Sequence, residues 1–239
     1  MKHKYILFSG GFDSTLAFLK TIEENDNIKL MPMFFNYGQK SKEREAQAVS
    51  RLVPALRDRV KSEGKTIEID DCITSEIPNA FQWSHSSIIE GRPETKDYGL
   101  ENRNMILLSL VVSKIMADYR LEGSSGTIEI VTGFTNEYYD TKLSFVHLYN
   151  TLLEKMRQET GLKIRVITPL IPEDQKDTIK VGIKKLIRLA HSLNALELLE
   201  SMTWSCYFPE GDNTCGHCPQ CEKRKRIFGE LHKKKKRGK

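Results

Sequence analysis

A junction near the start of the chain narrows its choice of folds. The apolar run Lys4-Tyr5-Ile6-Leu7-Phe8 breaks at Gly10 and Gly11 and passes at once into a helical pattern with Leu16, Leu19 and Ile22 on one face. An apolar run without alternation suits a strand buried on both faces of a parallel sheet. The pattern then repeats. Periodicity predicts strands at 4–8, 28–35, 67–69, 127–132 and 164–167. It predicts helices at 13–24, at 39–51 with a break near Pro54, and at 104–117, 143–159 and 176–191. This order implies an α/β fold: a mostly parallel five-stranded sheet with helices on both faces, filling residues 1–200. Between Asp71 and Glu101 the periodicity lapses, and a loop that long in a compact domain is usually functional.

Composition removes several classes. With 239 residues, 39% apolar and 29% charged, the chain can bury a core without disulfide support. No stretch approaches the ~20 apolar residues of a spanning helix, and the short apolar run before Ser9 is too brief for a signal peptide. A cytoplasmic protein with no membrane partner is expected. The net charge of +5 belongs to the terminus: residues 233–239 hold six basic residues, leaving 31 basic against 32 acidic elsewhere. That block reads as a disordered basic tail, and a nucleic-acid partner is not expected of the domain as a whole.

The six residues Ser9-Gly10-Gly11-Phe12-Asp13-Ser14 lie where a strand feeds a helix, so unpaired backbone N–H groups and the positive helix end converge on one point. Phe8 to Thr15 is therefore predicted to cradle phosphate. Ser9, Ser14 and Thr15 supply hydroxyls, and Asp13 caps the helix or helps hold Mg²⁺. Neither Gly-x-x-x-x-Gly-Lys-Ser/Thr nor Gly-x-Gly-x-x-Gly occurs, which argues against a standard NTPase and against a dinucleotide cofactor.

Cys72 stands alone and reads, with Asp70 and Asp71, as structure or surface. Cys206, Cys215, Cys218 and Cys221 fall within one short stretch and offer enough thiolates to close a tetrahedral zinc site. An iron–sulfur cluster is the rival reading, although the fourth cysteine precedes the run instead of following it. Residues 201–232 are expected to form this metal segment and a helix carrying Lys223-Arg224-Lys225-Arg226. Those cations make either a solvated face or contacts to phosphate.

The string Ser-Gly-Gly-x-Asp-Ser resembles that of the PP-loop ATP pyrophosphatases, which adenylate an oxygen with ATP and release pyrophosphate. Four more pieces follow in order: Phe35-Asn36-Tyr37-Gly38-Gln39-Lys40, Arg103-Asn104, Val131-Thr132-Gly133, and Thr168-Pro169-Leu170 followed by Lys176. With Thr203-Trp204-Ser205-Cys206 and the cysteine run they resemble the 7-cyano-7-deazaguanine synthase (QueC) family over about residues 4–228. The resemblance implies an ATP-dependent C–N ligase of queuosine biosynthesis. Such an enzyme adenylates 7-carboxy-7-deazaguanine and uses ammonia to reach the nitrile through the amide. It implies ATP, Mg²⁺ and Zn²⁺, and often a homodimer.

Under that reading Asp13, Ser14, Arg103 and Lys176 are the candidate catalytic residues. Tyr37, Gly38, Gln39 and Gly133 join the loop around ATP, and Asn104, Tyr138, Asp140 and Lys142 face the small substrate. The chain departs from the family at Asn36, where Asp is usual, and at Glu101-Asn102, where Pro-Gly is usual. It also has a shorter stretch, Phe134 to Lys142, where the family segment faces the substrate. Two alternatives follow: transfer of the same acid to another amine such as a protein, stopping at the amide, or a PP-loop enzyme that modifies tRNA.

Overall fold

The computed structural model describes residues 2–77, 79–91, 98–100, 102–122, 126–172, 174, 176 and 179–237. Its elements run β1 (Lys2–Leu7), α1 (Phe12–Glu23), β2 (Ile28–Asn36), α2 (Lys42–Ser62), β3 (Ile67–Ile69), β4 (Ile73–Glu76), α3 (Ser87–Glu90) and α4 (Arg103–Glu122). Then follow β5 (Thr127–Val131), a 3₁₀ turn (Tyr139–Thr141), α5 (Leu143–Thr160), β6 (Lys163–Ile167), α6 (Ile183–Ser192), α7 (Leu196–Met202) and α8 (Pro219–Arg237). The strands pair in the order β3-β2-β1-β5-β6, every pair parallel.

The chain winds outward from β1 through β2 to β3, then returns and winds the other way through β5 to β6. Right-handed crossovers therefore set α1 and α2 on one face and α4 and α5 on the other. Tyr5, Ile6 and Phe8 from the first strand and its exit, Leu16, Phe18 and Leu19 from α1, and Leu108 and Val111 from α4 are all buried. Central β2 is buried almost throughout, whereas edge strand β6 alternates exposed and buried residues. The loops after β1 and β5 part company at the switch in winding direction, and this opens a crevice at the carboxyl ends of the strands.

Four expectations change. The sheet has a sixth short strand, because β4 pairs with β2 beyond the point where β3 stops. The interruption has a cause in the sequence. Met33 carbonyl receives Phe8 N–H on the inner side of β2, while the carbonyls of Leu30 and Asn36 receive Asp70 and Ile77 N–H on the outer side. Residues 30, 32, 34 and 36 thus address the outer edge, and Pro32 brings no N–H to it.

Second, α2 runs unbroken through Pro54. Pro54 and Ser50, whose carbonyl loses its partner, are both exposed to water, while Leu52, Val53 and Leu56 are buried on the other side. Third, α6 begins at Ile183 instead of Lys176, and backbone groups ahead of it are engaged elsewhere: Val181 N–H donates to Thr135 O, and Asn136 Nδ2 donates to the carbonyls of Lys176 and Ile179. Fourth, the tail expected to be disordered continues α8 as far as Arg237. Lysine and arginine are good helix formers, and cations suit a helix C-terminus. Residues 238 and 239 lie outside the described residues.

Candidate active site

The crevice is floored by the loop after β1. Gly10 has φ +68, and a Cβ there would lie 3.0 Å from the Ala48 Cβ and 3.1 Å from the Val49 backbone nitrogen, so the turn needs glycine. Its carbonyl accepts Trp204 N–H at 3.0 Å, which ties the segment before the cysteines to the loop. Gly11 stands at the N-cap of α1 with no side-chain cap, so the amides of the first turn face the crevice without an internal partner. The hydroxyls of Ser9 and Ser14 lie 3.1 Å apart, and Ser14 also donates to Gly11 O.

From the other side comes Gly133, just past β5. A Cβ on it would lie 2.7 Å from Ser14 N and 2.8 Å from Ser14 Cα. Those are backbone atoms of α1, so the helix start or the β5 loop would have to move. Under the ATP reading expected from the sequence, Gly133→Ala should lower kcat/KM for ATP by roughly 10- to 100-fold, the cost of a displacement of about 1 Å in a positioning loop. Gly182→Ala serves as the control, because its φ is −69 and its Cβ would meet nothing within 4 Å. Steady-state kinetics of the two variants checks this.

Charge enters from both walls. Asp13, in the first turn of α1, pairs with the Lys223 ammonium of α8 at 2.6 Å through Oδ2, while its Oδ1 is buried with no hydrogen-bond partner among the described residues. Burial disfavours the Lys223 ammonium, but Asp13, with Glu137, outweighs this and holds it above the usual lysine range. Arg103, at the start of α4, is partly buried among Tyr37, Tyr207 and Asp140. Burial disfavours its charge, but these neighbours more than compensate. Burial pushes the Tyr37 and Tyr207 hydroxyls up, so both stay neutral hydrogen-bonding groups. The Glu45 carboxyl is also raised by burial, against hydrogen bonds from Ser41 and Gln39.

Of the residues expected from the sequence, Phe8, Ser9, Gly11, Phe12, Asp13, Ser14, Tyr37, Arg103, Asn104, Gly133 and Tyr138 line one cavity. Gly10 and Thr15 support the loop from behind. Gln39 is turned inward and is spent on Phe35 O, Glu45 and Tyr37 N–H; Gly38 N–H donates to Asn36 Oδ1. Asp140 is buried and receives Asn104 N–H at 3.3 Å, so it caps α4. Lys142 is the N-cap of α5, and Lys176 is exposed; neither lines the cavity. Glu45, Glu137, Trp204, Ser205, Tyr207, Gln220, Lys223 and Arg224 line it without having been singled out as site residues. The cations among them had one visible signal: the basic run that follows Cys221 directly.

The departures from the family pattern have local explanations. Asn36 accepts Gly38 N–H as an aspartate would, and its Nδ2 donates to Glu76 at 3.4 Å, where an aspartate would set two carboxylates together. Asn102 has φ +56, a left-handed position that asparagine fills in place of glycine. The shorter stretch after Gly133 still supplies Phe134, Thr135, Glu137, Tyr138 and Thr141 to the cavity.

Beside the cavity the four cysteines converge, their sulfurs all within 4.8 Å of one another. Cys206 and Cys215 are 3.5 Å apart, and Cys215 and Cys221 3.9 Å. A tetrahedral ion with bonds of about 2.3 Å has sulfur–sulfur edges of about 3.8 Å. The donor set therefore fits one soft, four-coordinate ion and leaves no position open to water. The hydrogen bond between Cys206 and Cys218 lowers the Cys218 thiol and raises that of Cys206. Cys72 is remote from this group, and burial pushes its thiol up to about 11.

Among the described residues no helix is long and apolar enough to cross a membrane. The model of the family described as queuosine biosynthesis protein QueC matches residues 4–232. A 7-cyano-7-deazaguanine synthase of Methanothrix thermoacetophila is 32% identical over 94% of this chain and 92% of its own. One from Nitratiruptor sp. is 26% identical over 93% of this chain and 92% of its own. Among solved structures, a predicted tRNA methyltransferase subunit from Methanocaldococcus jannaschii aligns over 80% of this chain and 76% of its own, at 18% identity and a TM-score of 0.39.

Proposed function

Since this chain belongs to the QueC family of queuosine biosynthesis proteins, we propose that it is an ATP-dependent ligase that converts 7-carboxy-7-deazaguanine to 7-cyano-7-deazaguanine. The observation that carries the reading is the coincidence, in one cavity, of an uncapped helix start, a carboxylate oxygen with no partner among the described residues and two cations, Arg103 and Lys223. That is the equipment for a polyphosphate and its metal.

In the proposed reaction a substrate carboxylate oxygen attacks the α-phosphorus of ATP. The bond from that phosphorus to the bridging oxygen breaks, and pyrophosphate leaves. Ammonia then adds to the acyl carbon and AMP departs, giving the amide. A second ATP adenylates the amide oxygen; loss of AMP and a proton leaves the nitrile. The loop amides and Ser9 and Ser14 hold phosphate oxygens, and Arg103 faces the charge on the acid. Asn104 and Tyr138 would read the base. Asp13 would hold Mg²⁺, which supplies charge neutralisation for the triphosphate. The cysteines would hold structural Zn²⁺ in a segment, 201–232, added to the α/β unit of residues 1–200. Thiols free of disulfide pairing suit the reducing cytoplasm. Exposed Leu148 and Leu152 on α5 and Met105 on α4 agree with the homodimer implied by the resemblance.

One observation favours a second reading. Tyr138 and Tyr139, 48% and 59% exposed, leave the shortened segment open to solvent, which suits a bulkier amine, such as one on a protein, and an amide end product. Mass spectrometry after incubation with ATP, Mg²⁺, the deazapurine acid and ammonium decides. The nitrile is expected. Amide or adenylate without nitrile would select the second reading, and no ATP consumption would exclude both.

A further inference from the structure

Lys223 was noticed in the sequence only as one charge in a basic run, yet its position is specific. Cys218 immediately precedes α8 and Cys221 lies in its first turn, so the cysteine cluster fixes the register in which the next turn leaves. Two residues on, the Lys223 ammonium reaches Asp13 across 210 positions of sequence, with only 16% of its side chain exposed. Arg224 beside it is already committed, to Thr203 Oγ1, to the Glu200 carbonyl and to the ring of Phe228. A lysine carries three N–H donors, and Asp13 takes one of them over the uncapped start of α1.

An ion pair serving only to fasten α8 to α1 would do little for stability, because the desolvation of both charges offsets their attraction. It would also have no reason to face a cavity lined by phosphate-binding groups. We propose that Lys223 receives the β- and γ-phosphates of ATP, the part that departs as pyrophosphate, and so makes the cysteine segment a functional wall of the nucleotide site. The proposal rests on the ATP reading above. Phosphate oxygens take the remaining donors, and Asp13 keeps its second oxygen for a cation.

The test is calorimetric titration of the full-length, metal-replete protein with ATP, pyrophosphate and AMP. Lys223→Met is expected to weaken ATP and pyrophosphate binding by roughly 10- to 100-fold, the range for a lost hydrogen bond between charged groups. AMP binding should be unchanged, and Lys223→Arg should restore most of the loss. Because Lys223→Met strands the Asp13 carboxylate, Lys223→Gln, whose side-chain amide can still donate to Asp13, is titrated alongside and should show the same selective loss. Unchanged ATP affinity in these variants, or AMP weakened as much as ATP, would overturn the proposal. Wild-type protein that binds no ATP would overturn the reading beneath it instead.

Discussion

Asp13→Asn is expected to lower ATP-dependent pyrophosphate release by about 10³-fold or more while leaving the circular dichroism spectrum unchanged. The side chain keeps its shape, so the effect isolates charge. In the present arrangement one carboxylate oxygen answers Lys223 and the other is buried with no partner among the described residues. Orphaned buried acceptors are uncommon and call for a reason; a bound cation provides one. An amide removes the charge that a divalent ion needs. It also leaves Lys223 with a neutral partner at most, so the electrostatic balance around the leaving pyrophosphate changes in two ways at once. Loss of a single well-placed transition-state contact costs 10²- to 10³-fold, and loss of a metal ligand adds to it. Stability should fall as well, because removing one partner leaves the largely buried Lys223 ammonium without its counter-charge, but the protein that remains folded should still fail to release pyrophosphate. The measurement is pyrophosphate release as Mg²⁺ is varied, with urea unfolding in parallel. Retained turnover, or a loss that merely follows unfolding, would remove Asp13 from the chemistry.

Cys221→Ser, or exhaustive chelation, should disorder residues 206–228 and abolish ATP binding together. Four cysteine sulfurs at these separations can hold one ion, and structural zinc contributes roughly 10–16 kcal/mol of apparent binding free energy in zinc-finger peptides, most of it available only to the folded segment. The consequences reach the nucleotide because α8 brings Gln220, Lys223, Arg224, Ile227 and Phe228 to the cavity, and Phe228 meets Phe12 of α1 edge-on at 5.9 Å. Elemental analysis should find one zinc per chain. Hydrogen exchange of the α8 amides should accelerate on chelation, while the β1, β2 and β5 amides keep their protection. Iron in place of zinc, or exchange indifferent to chelation, would refute the structural-zinc assignment.

The parts of the fold that could be read from sequence are those whose burial writes itself into composition. Strands β1 and β2 lie between two helical layers and so carry apolar runs. By contrast β4, Ile-Thr-Ser-Glu, sits at an edge with every second residue exposed, and nothing in its composition separates it from a loop. The start of α6 was misplaced because Asn136 and Thr135 claim backbone groups of Lys176, Ile179 and Val181, partners that no local pattern announces. The site divides in the same way. The loop from Phe8 to Ser14 is contiguous and carries its chemistry on its face. The opposite wall, with Trp204, Tyr207 and Lys223, is assembled by tertiary contacts from far along the chain. Gln39 and Asp140 were expected at ligands, but the backbone around them claims their hydrogen bonds.

The Pro32 break has one more consequence. An open sheet exposes two rims, and a long, flat rim invites a strand from another molecule to add to it. Here one rim is divided into three-residue β3 and four-residue β4, too short to template a neighbour in register. The other is five-residue β6, whose outward positions are Lys163 and Arg165. The proline that interrupts the ladder thus guards against aggregation, and replacing it with valine would offer intermolecular pairing a longer unbroken margin.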